Sequence, residues 1–242
     1  MRVFAGILRG LFLAVMFAGS AAITAASLEY FDPDTLAPFI IERLPVVKFE
    51  SLWLPALKVH VAAALVSFPL CLMLTMRWLQ RRPRWHRYQG RLAGVLVLLG
   101  LVPSGAVLAF DAKGGAGVTA GFLLSGAIVA GCMAYGIRAA RRRDMISHSR
   151  AMRHVIAQMS VAVTSRAMLI GFDEAGVNPD VAYVIALWVP VILSALVAEA
   201  VSRRFAFSFT QFIHALQRIY HGLSSFLVLR SRSTSGSIAR SG

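Results

Sequence analysis

Apolar residues along this chain gather into six long runs, at roughly residues 4–26, 55–78, 90–110, 117–140, 148–170 and 179–201. An apolar helix of about 20 residues, rising 1.5 Å per residue, crosses the ~30 Å hydrocarbon core of a bilayer. The loops between the runs are short, so six spans use nearly the whole chain and leave no room for a separate soluble domain. After Arg203 the pattern changes. Phe205, Phe209, Phe212, Ile213, Leu216, Ile219, Tyr220, Leu223, Phe226 and Leu227 recur at helical spacing, with Gln211, His214, Gln217, Arg218, His221 and Ser225 opposite them. That spacing predicts an amphipathic helix lying in a membrane interface. The final SRSTSGSIARSG is of low complexity and reads as disordered. The expected fold is all-α, a polytopic membrane bundle of about six transmembrane helices plus a C-terminal amphipathic helix. Residues 1–54 supply the first helix and an outer loop, residues 55–201 a membrane core of about five helices, and residues 202–242 the amphipathic helix and tail.

Charge then orients this array. RWLQRRPRWHRYQGR, between the second and third runs, carries six arginines and no carboxylate. RAARRRDMISHSRAMR, between the fourth and fifth, carries six more with only Asp144, and the tail after Val201 adds six and no acid. The remaining three loops hold nine of the 11 acidic residues. By the positive-inside rule, both termini and the two arginine-rich loops face the cytoplasm, and the acidic loops face out. A net charge of +14 and a pI near 11.3 would suggest nucleic acid in a soluble protein. Here twenty of the 25 basic residues fall on one side. Topology and anionic lipid headgroups at the inner face therefore account for the charge better, and no nucleic-acid motif accompanies it. The sequence names no protein partner.

Other features change the picture less. A mean hydropathy of +0.68 excludes an ordinary soluble domain. Cys71 and Cys132 lie inside apolar runs and read as small buried hydrophobes. The first run, with its basic start and small residues near its end, also has the outline of a secretory signal peptide. Its length and the interruption by Arg9 favour a retained helix; cleavage would leave five spans in the same orientation. In the 27–54 loop, Pro33, Pro38 and Pro45 break the chain, which is expected to lie against the outer surface with Trp53 as an interfacial anchor. Pro103, Ser104 and Gly105 predict a kink in the third helix.

Ionisable groups inside spans are costly and mark candidate sites. His60 belongs to the outer part of the second helix, His154 to the inner part of the fifth, and Arg166 to the outer part of that same helix. Gln158 follows His154 one turn on and shares its face. His86 and His148 join His154 at the inner face, amid Arg87, Arg91, Arg138 and Arg142. These five, His60, His86, His148, His154 and Arg166, are the candidate cofactor-binding residues. A bis-histidine b-type haem needs two imidazoles from different helices at one depth. His86 matches His148 or His154 in depth, whereas His60 and His154 differ. No spacing assigns a catalytic residue or a metal site. Glu199, at an inner helix end, is expected to pair with an arginine.

The stretches HVAAALVSFPL at 60–70, RWHRYQGRLAGVLVLLGLVPSG at 84–105 and AYGIRAARRRDMISHSRAM at 134–152, followed by a helix containing Arg166, resemble a family of bacterial multi-pass membrane proteins known as domain of unknown function 2306. The resemblance covers about residues 55–200 and rests on His60; His86, Arg87, Gly90 and Arg91; Ser104 and Gly105; Tyr135, Arg138 and Asp144; His148 and Met152; and Arg166. Two positions depart from the family's habit: Ala151 stands where it carries an aromatic residue, and Arg143 where it often carries glycine. The resemblance implies the architecture and a place in the inner membrane of a bacterial cell, and it implies no activity. Two functions then compete. One is a redox protein holding a b-type haem or a quinone among helices two to five. The other is a non-enzymatic membrane protein, a small transporter or an assembly partner, whose histidines and arginines are structural.

Overall fold

The computed structural model describes residues 2–32, 37–47 and 50–203. Six helices long and apolar enough to cross a membrane dominate it: α1 (Arg2–Ser27), α2 (Glu50–Leu74), α3 (Pro83–Phe110), α4 (Gly115–Arg141), α5 (Met145–Glu174) and α6 (Pro179–Arg203). No strand occurs among the described residues. The chain divides into two compact units, Met1–Glu199 and Ala200–Gly242. The amphipathic helix expected beyond Arg203 lies outside the described residues.

The spans begin and end differently from the apolar runs. α2 stops at Leu74, where the Thr75 hydroxyl turns back onto the Leu72 carbonyl at 2.7 Å and the Arg9 guanidinium takes the Thr75 carbonyl. α3 starts at Pro83, because proline at the first helical position lacks only an N–H that would be orphaned there anyway. The arginine-rich segment before Leu92 is therefore the first turns of a helix, and His86 sits on it. The expected kink in α3 takes the form of a π-turn, Leu96–Leu101, directly ahead of Pro103. Such single wide turns absorb an extra residue and recur at functional sites.

Between α4 and α5 the chain reverses in three residues. The Asp144 amide reaches the Ala139 carbonyl at 3.0 Å and the Arg143 amide the Ala140 carbonyl at 3.1 Å, the two bonds of a Schellman stop. Arg143 occupies its left-handed position at φ +63°, the one non-glycine with positive φ among the described residues. Asp144 then caps α5, accepting from the Ser147 amide at 3.0 Å, and these Ser147 contacts hold its carboxyl below the usual range. The glycine habitual at position 143 in the resembled family is thus explained by backbone geometry. Replacing Arg143 with glycine is expected to stabilise the protein by about 1 kcal/mol, read as a raised unfolding midpoint in detergent.

The main core lies where α1 to α5 meet, around Met16, Phe68, Leu72, Val97, Met133, Val155 and Met159. α6 joins through a separate cluster in which Leu187 and Val191 pack on Val118 of α4 and Val161 of α5. Lipid-soluble helices associate by close packing of small residues. At Gly136 of α4 an added Cβ would overlap the Met152 methyl and come within 3.1 Å of the Ala151 Cβ, so two small residues set the α4–α5 approach. A third cluster holds Trp53, which is only 3% exposed. The expected interfacial anchor is instead buried, because Ala37 and Ile40, at the start of the short helix Pro38–Arg43, close over it. Between 17% and 33% of each span is buried, which leaves apolar side chains such as Leu99 and Ile170 facing outward for a hydrocarbon surround.

Candidate functional site

Three polar clusters interrupt the apolar interior. The first clamps α2 to α3. Because α2 begins at Glu50, His60 lies nearly three turns inside it, deeper than the apolar run suggests. Its Nδ1 lies 3.1 Å from the Leu101 carbonyl, in the π-turn. A carbonyl only accepts, so Nδ1 carries the proton and Nε2 the lone pair. Ser104 Oγ lies 3.3 Å from the same nitrogen and donates to the Gly100 carbonyl at 2.6 Å. A Cβ on Gly105 would stand 3.0 Å from the imidazole Cε1, so the missing side chain lets the ring lie against α3. His60 and Ser104 thus meet as expected, but Arg166 does not complete a shared cavity with them. It is exposed and donates to the Ala162 carbonyl one turn back at 3.0 Å, a geometry any long cation on a helix can reach. Its charge still falls within electrostatic reach of His60 and Tyr183.

The second cluster joins the starts of α3 and α5. His148 Nδ1 donates to the Gly136 carbonyl at 2.9 Å, leaving Nε2 unprotonated in the neutral ring. His86 lies within electrostatic reach of His148, and its Nδ1 is buried without a hydrogen-bond partner, as is Oε1 of Gln89 one turn on.

The third runs along the seam of α4, α5 and α6. Glu199 receives Arg150 Nη2 at 2.5 Å on one oxygen and His154 Nε2 at 3.3 Å on the other. One turn further, Gln158 is 2% exposed with both ends of its amide engaged. Its Oε1 accepts from Ser125 at 2.9 Å, while Nε2 donates to the Val191 carbonyl at 3.0 Å and to Ser194 at 3.1 Å. His154 thus spends its Nε2 on Glu199.

The sequence pairs Glu199 with an arginine, as observed, but gives no sign of its bond to His154. Ser125 and Ser194 were also missed. A lone serine in an apolar helix looks like a small packing residue, and only helix rotation shows that two of them converge on Gln158. Toward the acidic end, an open cavity of about 370 Å³ between α5 and α6 is lined by Lys113, Asp173 and Tyr183 with an apolar wall that includes Leu169 and Ile170. Among the described residues, no three His, Cys, Asp or Glu side chains are grouped as a metal site.

Comparison with known proteins agrees with this architecture. The family model described as "Predicted membrane protein (DUF2306)" matches residues 57–202, more than half of the chain, and the chain belongs to that family. No curated protein matches it, and no solved structure does.

Proposed function

We propose that this member of the DUF2306 family is a transport-type protein of the bacterial inner membrane, with its histidines serving as clamps between helices. The observation that carries this reading is that His60, His148 and His154 each donate a ring N–H to a neighbouring helix. Such bonds hold helices together in a medium that offers no hydrophobic drive between them. Against a bis-histidine haem, His60 has no histidine at its depth among the described residues, and His154 Nε2 is already bonded to Glu199.

The arginine bias supports an orientation with the basic end and both termini in the cytoplasm, where Arg87, Arg91, Arg138 and Arg142 would face anionic headgroups. Reporter fusions after Leu28, Lys113 and Val177 are expected to read outside, and those after Arg82 and Arg142 inside. Reversal at any two of them refutes the orientation.

A b-type haem or quinone redox protein is the second reading. It is favoured by one observation, the unpartnered His86 Nδ1 near the free Nε2 of His148, with arginines at hand for propionates. A visible spectrum of the detergent-purified protein separates the two. The clamp reading expects no Soret band. A Soret band lost in both His86→Ala and His148→Ala establishes the second reading instead.

A further inference from the structure

Above Gln158 the α4–α5–α6 seam turns dry. Val118, Val161, Leu187 and Val191 fill it, exposed by 0%, 7%, 4% and 1%. Tyr183 packs on the far side of this plug and also lines the cavity at the acidic end with Asp173 and Lys113. The polar line Glu199, His154, Gln158 thus reaches about 20 Å from the start of α5, and Val191 both accepts from Gln158 and belongs to the plug. On α6, Tyr183, Leu187 and Val191 follow at one-turn spacing, so the dry layer is about two turns, or ~11 Å, thick.

We infer that this seam is a proton path closed by the four-residue plug: a half-channel from the basic end, a gate, and an outer vestibule at Tyr183. The inference rests on the transport reading above. The chemistry suits protons better than larger solutes, because among the described residues the seam holds one titratable pair, one fully bonded amide and a plug whose four side chains are at most 7% exposed. His154 turns its Nε2 proton toward Glu199, which leaves Nδ1 as the ring position for a further proton. The imidazolium so formed is balanced by the Glu199 carboxylate and returns a proton to water when the plug wets. No bond other than N–H and O–H changes, and the net result is one proton moved across. Arg150 of α5 bonds Glu199 directly, and Tyr135 of α4 lies within electrostatic reach of Arg150.

The test uses the full chain in phosphatidylcholine–phosphatidylglycerol vesicles with a trapped pH dye and an imposed potassium diffusion potential. Val161→Ser with Leu187→Ser is expected to raise proton entry at least about tenfold over the native protein, the change given by ~1.4 kcal/mol off the barrier. Adding Glu199→Gln is expected to return it to near the native rate. A double variant no leakier than the native protein overturns the gate. A leak that ignores Glu199→Gln, or that passes sodium as readily, overturns the proton path. If the double variant loses its fold, Val191→Thr, close to isosteric with the native side chain, carries the same two arms. The visible spectrum and the fusions do not depend on this flux, so a failed flux leaves the transport and topology readings standing, while a Soret band overturns the former and reversed fusions the latter.

Discussion

Gly19→Leu is expected to dislodge α1 from the bundle. At this position α1 crosses α5 without a side chain between them, and an added Cβ would overlap Val163 Cγ1. Valine is stiff at χ1 and offers no soft end to swing aside. Val163 is itself 8% exposed and belongs to the core that also holds Met16. Overpacking of this kind typically costs about 1–3 kcal/mol, and the rigid neighbour places this case at the upper end. The check is the unfolding midpoint in detergent, followed in a cycle with Val163→Ala, which removes the obstructing methyls and is expected to recover most of the loss. The same cycle bears on whether the first segment stays in the mature protein. If residues 1–26 were removed, Gly19→Leu would leave the stability of the mature chain unchanged.

Six spans were legible because hydropathy asks only for enough apolar residues in a row. Their ends were less so, since a helix does not stop where apolarity stops. α3 runs back through Arg91, Arg87 and Arg84 to Pro83, because charged residues are good helix formers and proline is at home in the first turn. α2 ends at Leu74 for a local reason, the Thr75 hydroxyl folding onto the Leu72 carbonyl. Trp53 misled through its amphipathic character: an aromatic at a span's edge suits an interface, yet here it is covered by residues 37–40, whose closure no period reveals. The His60–Ser104 meeting could be read from depth, because both lie in the outer halves of consecutive helices. Arg166 shared that depth but not the helix face, and depth carries no information on rotation.

Gln158→Leu is expected to loosen three helices at once. Gln158 sits mid-span on α5 and binds Ser125 of α4 and both Ser194 and the Val191 carbonyl of α6. Leucine has nearly the same volume, so the substitution removes hydrogen bonds with little change in packing. Interhelical hydrogen bonds in membranes are worth about 0.6 kcal/mol on average and up to ~1.7. The Val191 carbonyl keeps its place within α6 and Ser194 keeps its bond to that carbonyl at 3.1 Å, so neither is wholly abandoned. Ser125 is left with no side-chain partner. The expected loss is about 2 kcal/mol, seen as a lower unfolding midpoint, and Ser125→Ala in the Gln158→Leu background is expected to recover part of it by removing the stranded hydroxyl. Gln158→Glu separates packing from polarity. It keeps the shape and the acceptor for Ser125, but when ionised it sets an oxygen against the Val191 carbonyl, which can only accept, and it offers Ser194 Oγ no hydrogen. Its stability is therefore expected to fall as pH rises, while that of Gln158→Leu stays flat relative to the native protein over the same range. A Gln158→Leu variant as stable as the native chain would mean that the seam is held by the Val118, Val161, Leu187 and Val191 contacts alone.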